Sequence, residues 1–174
     1  MQKTSTSIIL SPTDLANHLA CRHLSWLNYH ALHGGPKPSK SDDELADILR
    51  LYGAQHEQKY LDELTAKVAE LGQEVINLDA DRKDGDPYGV ETLRDRAQVT
   101  KEALAQGGNV LYQPTFFRED DNGIAWVGRA DFVVPVDSIA FEPEDTKLAR
   151  IAKVNAVLQL CSYAEHLEIG RAHV

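Results

Sequence analysis

The stretch from Asn109 to Ala149 most restricts what this chain can fold into. Three successive segments, "NVLYQPTFF", "IAWVGRADFVVPV" and "SIAFEPEDTKLA", are rich in β-branched and aromatic residues, and "EDDNG" separates the first two. Runs of this kind bounded by turn residues read as strands. Strands joined by tight turns pair antiparallel. Helical patterns surround them. Residues 12–32 follow the start signal Ser11-Pro12-Thr13-Asp14 and carry Leu15, Leu19, Trp26 and Leu27 at helical spacing. After the loop "HGGPKPSKSDD", a second helix runs from Asp42–Asp43 to about Leu71, with apolar positions Leu45, Ile48, Leu49, Tyr52, Tyr60, Leu61, Leu64 and Val68. Gly72 ends it and "EVINL" forms a short strand. A polar loop, "DADRKDGDPYG", leads to a third helix, "VETLRDRAQVTKEALAQGG", and a fourth, "IAKVNAVLQLCSYAEHLE", follows the strands. The expected fold is α/β, with a mixed central β-sheet flanked by helices on both faces.

With 174 residues the chain has the length of one domain. It shows no repeat and no internal linker. No apolar run approaches the roughly 20 residues that span a bilayer, and the start is too quickly polar for a secretory signal. Only two cysteines, Cys21 and Cys161, are present, so there is no disulfide framework and the expected compartment is the cytoplasm. The net charge of −9 argues against coating nucleic acid by phosphate neutralisation alone. A site in which carboxylates hold divalent cations escapes that objection, because the ions bring their own positive charge.

"FEPEDTKLAR", residues 141–150, is where such a site could lie. In a strand, residues two apart share a face, which sets Asp145 beside Lys147 and turns Thr146 and Glu144 away. Asp131 lies on the preceding strand and reaches the same place if the two strands pair. Two carboxylates with open positions suit Mg²⁺ or Mn²⁺. A neighbouring ammonium can orient an attacking water or offset charge on a phosphate. The competing reading is an ordinary salt bridge between strands. His56, mid-helix, reads as a surface or half-buried residue next to the Tyr52 and Tyr60 rows, unless partners elsewhere promote it. Gln159 and Tyr163, four apart, share a helix face. They form either the polar edge of an apolar stripe (Val154, Val157, Leu158, Leu160) or a hydrogen-bonding pair for an active site or nucleotide.

The ordered set of His56, "GRADF" with Asp131, "EDTK" with Asp145 and Lys147, and "QLCSY" with Gln159 and Tyr163 resembles the RecB-like branch of the PD-(D/E)xK nuclease superfamily. The likeness is greatest to bacterial RecB-family nucleases and runs from "LSPTDLANHLACRHLSWL" to residue 167. It implies a restriction-endonuclease-like core and metal-dependent hydrolysis of DNA phosphodiester bonds. It also implies His56, Asp131 and Asp145 as metal ligands, with the Thr146 carbonyl nearby. Lys147 would be the catalytic lysine, Gln159 and Tyr163 the motif that follows it, and Glu57 a supporting group.

"CRHLSWL" resembles the N-terminal cysteine segment of relatives that carry a [4Fe-4S] cluster. Such a cluster needs four thiolates, so Cys21 would serve only in a longer protein that supplies the rest. Otherwise Cys21 reads as a small buried residue, and Cys161 as a packed one. The ending "EIGRAHV" resembles a translated sequencing-library adapter. The expected organisation is therefore a nuclease domain over 1–167, incomplete at its C-terminus, and a non-native tail over 168–174. DNA is the expected partner, single- or double-stranded. The alternative is a nucleic-acid-binding or scaffolding domain of the same fold without turnover.

Overall fold

The computed structural model describes residues 1–37, 43–80, 89–137, 140–147 and 153–171, with backbone alone from 168 onward. The expectations for Asp42, most of the 79–89 loop, Ser138–Ile139, Leu148–Ala149 and Ile151–Ala152 lie outside the described residues. In chain order the elements are β1 (Gln2–Lys3), β2 (Ile8–Leu10), α1 (Pro12–Ala20), α2 (Arg22–Leu32), α3 (Glu44–Ala69) and β3 (Val75–Asn77). There follow α4 (Val90–Gln106), β4 (Val110–Tyr112), β5 (Thr115–Glu119), β6 (Ile124–Arg129), β7 (Phe132–Pro135), β8 (Phe141–Glu144) and α5 (Val154–Arg171).

The fold is mixed α/β, as the sequence predicts. Its strands form two four-stranded sheets, in the orders β1-β2-β6-β5 and β3-β4-β7-β8. The expected single sheet is divided because both long β segments break. "NVLYQPTFF" becomes β4 and β5, interrupted at Gln113–Pro114, and "IAWVGRADFVVPV" becomes β6 and β7, interrupted at Ala130–Asp131. The register passes unchanged through the break. Tyr112 faces Phe132 on one side and Thr115 faces Arg129 on the other, which leaves Gln113 opposite Asp131 and Pro114 opposite Ala130. The two sheets are thus the two arms of one bent antiparallel hairpin. Parallel partners complete them: β2 lies beside β6 and β3 beside β4.

On the β4–β5 side of the bend each backbone donor finds an acceptor, as buried backbone must. Gln113 N donates to the Asp131 carbonyl at 2.8 Å. Pro114 has no N–H to satisfy. Thr115 N donates to Thr100 Oγ1 of α4 at 3.0 Å, and that hydroxyl donates to the Arg96 carbonyl at 3.1 Å. Thr100 is almost wholly buried. It is a polar core residue placed to close the bend.

Helices cover the β7 arm from both sides. Phe132 packs with Val110 against Leu64 and Val68 of α3, flanked by Tyr60, Leu61 and Tyr112. Its neighbour Val133, on the opposite face, joins Leu111, Phe116 and Ala130 against Ala103 of α4 and Tyr163 and Leu167 of α5. The β6 arm packs Ile9 and Ala125 against Leu93 of α4.

Several helix expectations are corrected. Residues 12–32 form two helices because Cys21 takes an extended conformation (φ −157°, ψ 103°) and its carbonyl starts α2. Cys21 and Cys161 are both exposed, so neither is a packed core residue. In α5 the buried side is Ser162, Tyr163 and Leu167, while Val154 and Val157 of the expected apolar stripe are exposed. In α3 only the C-terminal half is packed: Leu45, Ile48, Leu49 and Tyr52 are each about half exposed or more.

Two glycine substitutions separate space from chain entropy. A Cβ on Gly128 of β6 would lie 2.8 Å from Tyr163 Cε1 and 2.9 Å from Cδ1, whereas one on Gly53 of α3 meets nothing within 4 Å. Gly128→Ala is expected to destabilise the fold by about 1–3 kcal/mol through overpacking. Gly53→Ala is expected to stabilise it by about 0.5–1 kcal/mol. Urea denaturation of both variants checks the contrast.

Candidate active site

Asp131 lies in the break of the second strand, between the end of β6 and the start of β7. Free of the ladder, its carboxylate turns toward the chain leaving β8. Oδ2 accepts from Thr146 N at 2.9 Å and from Thr146 Oγ1 at 3.1 Å. Thr146 was expected to face away. The strand has already ended at Glu144, so strict alternation no longer applies and both Thr146 donors reach Asp131. The expected pairing of Asp145 with Lys147 is present: Lys147 Nζ lies 2.7 Å from Asp145 Oδ1. The Asp145 side chain is 6% exposed and that of Lys147 48%, so the pair spans from interior to solvent.

The other oxygen of Asp145 is the most informative atom. Oδ2 is buried and has no hydrogen-bond donor. The Asp131 carboxyl lies within hydrogen-bonding reach, which two acceptors can use only when one holds a proton. Burial first, and then this second carboxyl, push the Asp145 pKa up from 3.8 to about 7, against the pull of Lys147. Crowded carboxylates with an unfilled lone pair are a donor set suited to a hard divalent cation. Among the described residues, however, no group of three His, Cys, Asp or Glu side chains is already arranged to hold a metal.

Two further carboxylates come from either side of the bend. Tyr60 of α3 donates to Glu144 Oε2 at 2.5 Å. Glu57, one turn earlier on the same face, accepts on Oε1 from Tyr112 Oη at 2.8 Å and from Gln113 Nε2 at 2.5 Å. Burial and then these carboxylates raise the pKa of each tyrosine to about 12. Both phenols therefore remain donors throughout the ordinary pH range. Asp131 adds to the shift of Tyr112, which places the Glu57 cluster within its electrostatic reach.

Of the residues singled out in sequence, Asp131, Asp145 and Lys147 come together. Tyr163 is buried, stacks on Phe116 at 5.9 Å, and has its pKa raised by burial and then by the charges of Asp145 and Asp131. Gln159 lies one turn before it and is half-buried. His56 is exposed on α3, not half-buried, and Glu57 is the residue that α3 turns toward the bend. Cys21 is exposed at the α1–α2 joint, and two cysteines do not supply the four thiolates of an iron–sulfur cluster. Sequence reasoning missed Gln113, Tyr112, Tyr60 and Glu144. The signals available were the Pro114 interruption inside a strand pattern and the i, i+3 spacing of Glu57 and Tyr60.

No protein-family model, curated protein or solved structure matches the chain.

The raised Asp145 pKa has a sign. Between about pH 4 and 7 the folded protein keeps a proton that the unfolded chain has released. The folded state then binds more protons, so stability falls as pH rises through that window. In EDTA, the urea midpoint is expected to drop from pH 5 to pH 8, and Asp145→Asn is expected to flatten that dependence.

Proposed function

We propose that this chain is a metal-dependent nuclease domain that hydrolyses DNA phosphodiester bonds, of the RecB-like branch of the PD-(D/E)xK superfamily, acting in DNA repair, recombination or processing. The observation that carries the reading is the meeting of Asp131, Asp145 and Lys147 at the hairpin bend, with Asp145 Oδ2 buried and undonated. The ordered motifs of the sequence support it.

Asp131 and Asp145 are the residues that would hold Mg²⁺ or Mn²⁺. A cation bound there would supply Lewis-acid polarisation of a phosphate and a lowered pKa for bound water. The protein's own contributions are positional. Thr146 fixes the orientation of Asp131 through two hydrogen bonds. Tyr163 is buried within electrostatic reach of both carboxylates. Half-exposed Lys147 stands at the solvent side, where it orients the attacking water or offsets charge on the phosphate.

A second reading, a nucleic-acid-binding or scaffolding domain without turnover, is favoured by the exposure of His56, which leaves it outside the carboxylate cluster. Labelled single- and double-stranded DNA, incubated with Mg²⁺ or Mn²⁺ and compared with EDTA, separates the two. Metal-dependent cleavage is expected, with Asp145→Ala and Lys147→Ala each reducing it by about 10²–10⁴-fold while circular dichroism shows both variants folded. Binding without cleavage supports the second reading. Full cleavage by either variant contradicts the assignment.

A further inference from the structure

Gln113 holds a backbone conformation that its residue type disfavours. Its φ is +56°, and among the described residues it is the only non-glycine with positive φ. For an L-residue this region brings Cβ against the neighbouring carbonyl. The following residue is Pro114, which restricts Gln113 further. Glycine would meet the backbone requirement without strain, so the glutamine side chain must be what is retained.

That side chain joins two parts of the proposed site. Gln113 N donates to the Asp131 carbonyl at 2.8 Å, and Nε2 donates to Glu57 Oε1 at 2.5 Å. One residue thus ties the backbone of a proposed metal ligand to the carboxylate that α3 presents. Tyr112 donates to the same Glu57 oxygen at 2.8 Å, so both bonds fall on Oε1 and Oε2 stays outside the clamp. A carboxylate gripped by one oxygen is held in orientation while its second oxygen is left for a cation or for water coordinated to one. Bends of this kind, where strain persists beside chemistry, are places where the surroundings over-determine a costly conformation.

We propose that Gln113 is a positioning residue, kept in a strained conformation so that it locks Glu57 against the Asp131 bend and makes Glu57 the α3-side support of the metal centre. The inference rests on the nuclease reading for what the site serves, and on the bend geometry for the role of the residue.

The test measures Mn²⁺ binding by electron paramagnetic resonance, with urea midpoints in EDTA, for the intact chain and for Gln113→Gly, Glu57→Gln and the double variant. Gln113→Gly is expected to match or exceed the parent in stability, because the strain is relieved, yet to weaken Mn²⁺ binding about 10-fold, as loss of an outer support does. Glu57→Gln is expected to weaken it similarly, and the double variant no further than the weaker single one. The proposal is overturned by a Gln113→Gly protein that is less stable than the parent, by one with unchanged Mn²⁺ affinity, or by losses that multiply in the double variant. A parent chain that binds no Mn²⁺ overturns both this proposal and the nuclease reading. Mn²⁺ binding with the expected pattern, but without cleavage, removes the nuclease reading alone.

Discussion

The bend in the central hairpin is the constraint on which the rest of the molecule depends. Its strands keep register across the interruption, so no residue changes face and both arms still bury their apolar sides. What changes is direction, and the ladder lapses where Gln113–Pro114 faces Ala130–Asp131. A lapse in a buried sheet is tolerable only if its donors are otherwise satisfied. On the β4–β5 side they are, Gln113 N by the Asp131 carbonyl and Thr115 N by the Thr100 hydroxyl. The same lapse frees the Asp131 side chain from the pleat and lets it meet the chain that leaves β8.

Electrostatics then distinguishes this meeting from an ordinary ion pair. A surface Asp–Lys pair contributes little to stability, and here Lys147 is half-exposed. Asp145 is not: it is buried, faces a second carboxyl, and holds its proton to about pH 7. An arrangement selected for stability alone would have placed an apolar residue or a second donor there. Around it, Tyr60–Glu144 and Tyr112–Glu57 bind α3 to the sheet by hydrogen bonds whose donors do not titrate in the physiological range. The site is hydrogen-bonded at its rim and has an unpartnered carboxylate oxygen at its centre.

Much of this was legible in the sequence, and the failures have physical reasons. The type of most elements from α1 onward was readable from apolar periodicity and turn residues, whereas β1 and β2 are too short to show a pattern. The Asp145–Lys147 pair was readable because i and i+2 stay adjacent even just past a strand end. Thr146 was misjudged for the same cause, since alternation stops when the strand does. The breaks at Pro114 and Asp131 were missed because apolar residues resume on both sides of them and the register does not change. The phase of α3 was also hidden. Its apolar positions 45–52 predict one buried face, but the packed face is set further along by Leu64 and Val68, and that face carries Glu57, not His56.

Whether the crowded carboxylates are a cation site can be measured directly. In crystals of the chain grown with Mn²⁺, the account predicts one anomalous-scattering peak touching an oxygen of Asp131 and an oxygen of Asp145, each at about 2.1 Å. Crystals saturated with Mn²⁺ that show no peak at these two carboxylates would contradict it.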